Sequence, residues 1–319
     1  MTLRKAAMAI VALTASTAGA QAQDARPLRL IVPFPPGPGV DLIARTLATP
    51  LAQTLGRAIV VDNRPGAGSV IGTELAARAP ADGNTLAFVN LAYAINAAML
   101  ARLPYDPLHD LSPVTVVATQ PHILVVNPAL PVKSVRDLVA LAKSRPGELT
   151  YASSGNGTGP QLVAEMFSGA TGVRMNHIPY KGANPALTDV VGGHAQLMFA
   201  TLVSSLPHVQ AGRLRALAVT SARRSTLVPE VPTLVESGLP DVQAVGWYMI
   251  MAPSRTPAAT MAQLHAAIAS TLTQGAVRDR LSADGAEVLA NRPEEARRFL
   301  ETELARWRAV VKAAGLKGE

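Results

Sequence analysis

The chain has 319 residues, no cysteine, a formal charge of +7 and only 4% aromatic residues. Without cysteine there are no disulfides, thiolate metal sites, cysteine nucleophiles or lipid-modified N-terminal cysteine, so packing alone must hold the fold. The positive charge is spread thinly, which favours a small anionic partner and argues against nucleic acid, whose recognition needs clustered basic residues and stacking rings.

Residues 1–22 read as a signal peptide: Arg4-Lys5, a weakly apolar run from Ala6 to Ala18, then Ala20-Gln21-Ala22, with cleavage expected after Ala22. The run is too short for a bilayer core of about 30 Å, and no later stretch reaches the roughly 18 uninterrupted apolar residues a membrane helix needs. A buried N-terminal helix is the alternative, but the amphipathic stripe it requires is absent. The expectation is a soluble exported protein that is not lipidated. No twin arginine is present, which points to export unfolded and without a cofactor. Roughly 297 mature residues exceed one core and predict two domains of about 150 each.

Leu28-Arg29-Leu30-Ile31-Val32 predicts a strand, Pro33 to Gly39 a rigid loop, and Asp41 opens a helix carrying Ile43, Leu47, Leu51 and Leu55, with a kink expected at Pro50. The pattern repeats with strand Ala58–Val61, loop Asn63–Ser69 and a helix through Ile71, Leu75 and Ala79. Leu86 to Val89 predicts another strand. Val114 to Val126, interrupted by Pro121, reads as two strands or one long strand crossing between lobes. Ser134 with Asp137 three residues on caps a helix that ends at Arg145-Pro146-Gly147. Thr150–Ser153 as strand, Gly155–Gly159 as loop and Pro160 as the first helical residue give the pattern a third time. Near the end, a helix with Met261, Leu264, Ile268 and Leu272 closes at Gly275, and one opened by Pro293 carries Phe299, Leu304, Trp307 and Val311 to Gly315. Alternating strands and helices predict an α/β fold with mostly parallel sheets, whose ligands bind at the carboxyl ends of strands.

Each of the three glycine-rich loops joins a strand to a helix and so offers backbone N–H groups beside a positive helix end, a place for a carboxylate or phosphate; one such loop alone is ordinary turn chemistry. Gly66-Ala67-Gly68-Ser69-Val70-Ile71-Gly72 spaces its glycines as G-x-G-x-x-x-G, not as the dinucleotide fingerprint, and Asn90 stands where a ribose-binding acid belongs. The histidines at 109, 122, 177, 194, 208 and 265 show no ligand spacing, so no metal is expected, and no cofactor. Lys181 is either a ligand-facing cation or an ordinary exposed lysine.

Seven segments in order resemble one family: Pro33-Phe34-Pro35-Pro36-Gly37 before Asp41, Asn63-Arg64-Pro65-Gly66-Ala67-Gly68, Leu103-Pro104-Tyr105-Asp106-Pro107, Gly155-Asn156-Gly157-Thr158, Pro179-Tyr180-Lys181-Gly182, Leu214–Thr220 and Val231-Pro232-Thr233. Together they resemble the Bug-type substrate-binding proteins of tripartite tricarboxylate transporters from about Arg26 to Gly315. The resemblance implies a two-lobed type 2 periplasmic binding protein fold, with a small organic carboxylate in the interdomain cleft and membrane permease subunits as partners. Carried over, Phe34, Pro36, Gly37, Gly39, Val40 and Asp41 wall one side of the ligand. Ser153, Ser154, Asn156, Gly157 and Thr158 face it from the other lobe, with Asn63, Gly66, Ala67, Tyr180 and Ala200 as further contacts. Three departures stand out. Gly37-Pro38-Gly39-Val40-Asp41 replaces Gly-Gly-Gly-Thr-Asp, Phe199-Ala200-Thr201 replaces Phe-Asp-Asn, and Gly159-Pro160-Gln161-Leu162 replaces Ser-Gln-His-Leu, each removing polar groups beside the pocket.

The expected lobes are 24–121 plus 245–319 and 122–244, with crossings near Gln120 to Val126 and Val242 to Met251. The expected role is capture and delivery by a monomer that catalyses nothing. A sensing module for a membrane receptor is the alternative, since the same closed state serves both. A hydrolase or isomerase would need a nucleophile and base in hydrogen-bond reach, which the sequence does not suggest.

Overall fold

The computed structural model describes residues 26–37, 39–283, 285–313 and 315; the expected signal peptide and Pro38 lie outside them. Among the described residues the order is β1 (Leu28–Val32), α1 (Val40–Leu55), β2 (Ile59–Asn63), α2 (Val70–Ala77), β3 (Thr85–Asn90), α3 (Ala92–Met99), β4 (Leu111–Val126), α4 (Val135–Ser144), β5 (Thr150–Ser153) and α5 (Gly159–Thr171). There follow β6 (Asn176–Pro179), α6 (Ala183–Gly192), β7 (Leu197–Thr201), α7 (Leu202–Gln210), β8 (Arg215–Val219), β9 (Val245–Pro253), α8 (Ala258–Thr273), α9 (Gly275–Ala283), β10 (Glu287–Val288) and α10 (Pro293–Ala313). No helix among them is long and apolar enough to cross a membrane.

The strands run β2-β1-β3-β9-β4-β7-β5-β6, with β8 and β10 also pairing β4. The expected parallel pairing is found in the outer strands, where β1 lies parallel to β2 and β3, and β5 parallel to β6 and β7. Around β4 the sheet is antiparallel, which makes it mixed as a whole. The run from Val114 to Val126 is one long strand: up to Pro121 it pairs β9, and from His122 it pairs β7 and β8. Pro121 is accommodated where the neighbours change. One apolar cluster, including Leu30, Leu47, Phe88 and Ile250, sits under α1 and α8; another, including Ile123, Leu187 and Met198, sits under α6 and α7.

Ser134 accepts the Asp137 N–H, and the Asp137 carboxylate accepts the Lys133 N–H, as the sequence leads one to expect of a capped helix. Two expectations are corrected. Gly275 does not close a helix; the extended Gln274 ends α8 and Gly275 begins α9, which buries Val277 and Leu281. In α2, Ile71 and Leu75 are exposed, at 53% and 37%, while Val70, Gly72, Thr73 and Ala76 face inward. The reason is steric: a Cβ built at Gly72 would lie 2.5 Å from the Arg64 carbonyl oxygen and 2.8 Å from Pro33 Cβ, so only the glycine edge of α2 can close on the loops after β1 and β2.

Gly72→Ala should therefore cost about 1–3 kcal/mol through backbone overpacking, whereas Ile71→Ser on the exposed edge should cost less than about 0.5 kcal/mol. Chemical denaturation of both variants checks this; equal midpoints would mean that the loops give way freely.

Candidate functional site

Three loops leave the carboxyl ends of parallel strands: residues 33–39 after β1, residues 64–69 after β2, and residues 154–158 after β5. Because β1 and β2 are neighbours in register, Val32 beside Asn63, the first two loops start side by side.

Asp41 and Asn63 tie those two loops together. Asp41 is 4% exposed, and its carboxylate accepts the Gly37 N–H at 2.9 Å, Arg45 Nε at 3.0 Å and Asn63 Nδ2 at 2.9 Å. Asn63 Nδ2 also donates to the Phe34 carbonyl, and Arg45 donates to Asn63 Oδ1. Burial would raise the Asp41 pKa, but the bonds from Arg45, Asn63 and Gly37 outweigh it and hold the carboxyl below its ordinary range. Phe34 is half-buried against the cluster beneath α1, Val40 is buried in that cluster, and Pro36 is exposed. Gly37 and Gly39 supply the positive φ values, 138° and 90°, that turn the chain into α1.

The lowered Asp41 pKa carries a pH prediction. A depressed folded-state carboxyl contributes stability that is present above the unfolded value near 3.8 and lost as pH falls through the folded value. Asp41→Asn should remove that share of the acid sensitivity below about pH 4 while lowering stability at pH 7, read by melting temperature against pH. An acid limb identical to the wild type would show that the carboxylate does not clamp the loops.

The second loop is a left-handed turn: Gly66, Ala67, Gly68 and Ser69 have φ of 137°, 44°, 62° and 89°. For Ala67 and Ser69 this is strained backbone, the kind that collects at functional sites. Asn96 on α3, 7% exposed, holds it by donating to the Gly68 carbonyl at 2.7 Å and to Ser69 Oγ at 3.2 Å. Thr73 Oγ1 donates to the Ser69 carbonyl. The N–H groups of Ala67 and Gly68 have no acceptor among the described residues. Such a turn aims its leading N–H groups to one side, as a helix N-terminus does.

In the third loop Ser153, fully buried, exchanges bonds with Gly155: its Oγ accepts the Gly155 N–H and reaches the Gly155 carbonyl, both at 3.1 Å. The same Oγ lies 2.6 Å from His177 Nε2 on β6. Gln161 on α5 accepts the Gly157 N–H at 2.8 Å and places its Nε2 3.4 Å from His177 Nδ1. Thr158 Oγ1 donates to the Gly155 carbonyl at 2.7 Å. Ser154 is half-buried and Asn156 is exposed. The N–H groups of Asn156, Thr158 and Gly159 have no acceptor among the described residues.

Loops two and three meet at α3. Asn96 carries loop two, while a Cβ at Gly157 would lie 3.5 Å from Met99 Sδ and one at Gly159 3.2 Å from Leu91 and 2.9 Å from His122 Nε2. His122, at the point where β4 changes partners, is 3% exposed, and burial pushes its pKa down to about 4, so the ring is neutral.

Tyr180 and Lys181 follow β6 directly beside the third loop, where the Tyr180 N–H donates to the Ser153 carbonyl at 3.0 Å and the Gly182 N–H to the Ser154 carbonyl at 3.2 Å. Tyr180 donates to Asp189 at 2.6 Å, and burial together with that carboxylate pushes the phenol up to about 12. Ala200 is fully buried among Ile123, Ala152 and Met198, because alternation along β7 turns it into the sheet's apolar face. Lys181 is exposed. Two open depressions of about 510 and 540 Å³, one beside Tyr105 and Arg308 and one beside Gly56 and Arg57, touch none of the three loops.

Sequence reasoning missed Asn96, Gln161 and His177. The signal for Asn96 was an amide inside the otherwise apolar Ala92–Met99 helix; for Gln161, an amide one turn after Gly157. Gln161 also corrects the expectation that Gly159-Pro160-Gln161 merely strips polar groups, since its side chain holds the loop. Ser153 and His177 are a hydroxyl–imidazole pair the sequence did not announce, but the serine is fully buried and His177 Nδ1 faces an amide, not an acid, so the activating third group of a hydrolase is missing. Among the described residues no three His, Asp or Glu side chains group as metal ligands.

Comparison with known proteins places this geometry. The chain is 39% identical over 318 residues to protein BugT of Bordetella pertussis, covering 97% of this chain and 98% of the relative. It superimposes with a TM-score of 0.86 on R. palustris Rpa4515 with adipate, 36% identical, covering 92% of this chain and 99% of that one. The TM-score is 0.80 for MatC from Rhodopseudomonas palustris with bound malate, 31% identical, covering 90% and 99%. The family described as tripartite tricarboxylate transporter family receptor matches residues 43–316, and this chain, an α/β protein on one mixed sheet with glycine-rich loops at the ends of its parallel strands, belongs to it.

Proposed function

We propose that this protein is a periplasmic receptor that captures a small dicarboxylate and hands it to the permease subunits of a tripartite tricarboxylate transporter, making and breaking no bond. The observation that carries the reading is the meeting of loops two and three at α3, with the N–H groups of Ala67, Gly68, Asn156, Thr158 and Gly159 left without acceptors among the described residues. Donors without acceptors suit carboxylate oxygens, and the loops of two lobes suit a ligand with an acid at each end. Two similar proteins hold adipate and malate, both dicarboxylates.

The lobes of this reading are 24–121 plus 245–319 and 122–244, with the chain crossing along β4 near Gln120 to Val126 and again near Val242 to Met251. Asp41, Asn63 and Ser153 act as loop clamps, Phe34 and Pro36 as an apolar wall, and Asn156 with Thr158 as direct contacts. The protein acts as a monomer after removal of residues 1–22.

The test is the melting temperature of protein refolded free of carried-over ligand, against adipate, malate, their diamides and neutral analogues. A ligand at about 100 times its Kd stabilises the folded state by about 2.7 kcal/mol, a shift of several degrees. A shift with a diacid and none with its diamide supports the reading; a shift with neutral compounds alone overturns it.

A further inference from the structure

The bonds around His177 admit one orientation throughout. The Gly157 N–H can only donate, so Gln161 Oε1 accepts it and the Gln161 NH2 is the group that faces His177 Nδ1. Nδ1 is therefore an acceptor, and the ring proton sits on Nε2 and is donated to Ser153 Oγ. The Ser153 hydroxyl then gives its own proton to the Gly155 carbonyl while accepting the Gly155 N–H. A single chain of donors thus runs from Gly157 through Gln161, His177 and Ser153 back to Gly155, closing both ends of the third loop's turn.

A second proton on the half-buried ring would go to Nδ1, the atom that faces the Gln161 NH2. Among the described residues, Tyr151 stacks on the ring, centroids 4.8 Å apart, and donates to Glu165 on α5, while Asp189 on α6 accepts from Tyr180. A proton on Nδ1 would confront the Gln161 NH2. Flipping that amide would relieve the clash but leave the Gly157 N–H facing another donor.

We propose that His177 is the positioning residue of the third loop: its neutral Nε2–H form locks the turn that presents the Asn156, Thr158 and Gly159 amides, and a second proton on the ring unlocks the turn and weakens ligand binding. The inference rests on the reading that this loop holds the ligand. Burial already lowers the ring's pKa, so the locked form is full above about pH 6.5 and is lost as pH falls through that lowered value.

The experiment compares wild type with His177→Gln, which keeps a donor at the Nε2 position and cannot titrate, and His177→Phe, which keeps the stack and removes both bonds. Two quantities are read between about pH 7.5 and about pH 4.5: hydrogen-exchange protection of the Gly155 and Gly157 amides in free protein, and affinity for adipate by calorimetry. Adipate's own titration is common to all three proteins and cancels in their ratios. We expect His177→Gln to bind within about threefold of wild type at the upper pH and at least about tenfold more tightly than wild type at the lower, with protection retained. His177→Phe should lose protection and about tenfold in affinity at both. Parallel protection in wild type and His177→Gln across the range overturns the lock. Protection that follows His177 while adipate affinity does not overturns the coupling to the ligand, and with it the placement of the ligand at this loop.

Discussion

Asn156→Ala combined with Thr158→Ala will weaken ligand binding more than tenfold and leave the ligand-free protein close to its original stability. Asn156 is exposed and its side chain bonds to no described residue, while Thr158 contributes one hydrogen bond, to the Gly155 carbonyl. Losing that bond costs about 0.5–1.5 kcal/mol of stability, and a melting temperature within about 4 °C of wild type is expected. At the ligand the two groups act differently. Hydrogen bonds to a carboxylate contribute about 1.5–3 kcal/mol each, so two of them exceed the 1.4 kcal/mol that a tenfold change in affinity requires. Calorimetric titration with adipate or malate reads the result. An unchanged affinity would remove the third loop from the site and leave the first two to hold the ligand.

Glu303→Ala will be the most destabilising substitution of a single polar side chain considered in this protein. Glu303, 6% exposed on α10, accepts the indole N–H of Trp247 on β9 at 2.8 Å and that of Trp307 at 2.9 Å, both on Oε2. Trp247 and Trp307 are both almost fully buried, and Phe299 packs edge-on to Trp247. Without the carboxylate two buried donors lose their acceptor, at about 1–3 kcal/mol each. A drop in melting temperature of about 6 °C follows for a loss near 4 kcal/mol in a chain of this length. Glu303→Gln keeps one oxygen for both indoles and gives up only the half-exposed partner Arg306, so it should cost less than about 1.5 kcal/mol. If the alanine variant melts within about 2 °C of wild type, water has replaced the carboxylate and α10 is not anchored through it.

The repeated strand, loop and helix grammar was legible because each of its signals is local. A β-branched run, a glycine–proline break and a 3.6-residue apolar stripe act on covalent neighbours, and β1, β5, α4 and α10 follow from them almost residue for residue. Where the structure departs, a distant group decides. Ile71 and Leu75 satisfy a helical stripe, yet α2 turns its glycine edge inward because the Arg64 carbonyl and Pro33 occupy that side. The antiparallel centre of the sheet has no local signal at all, since it is imposed by one strand, β4, that serves two sets of neighbours.

The same division runs through the site. From its own residues the sequence determined that the protein would carry glycine-rich turns at strand ends, with free backbone donors suited to an anion, and its motifs carried the resemblance to the family. It also determined that packing without disulfides would hold them. Which side chains face inward as clamps was decided only by the tertiary structure. Asn63 reaches Phe34 across 29 positions, Asn96 reaches Gly68 across 28, and Gln161 reaches His177 across 16. A polar side chain carries no periodic mark of its partner, and these partners are brought within 3.5 Å only once parallel strands have paired and the helices have docked on them.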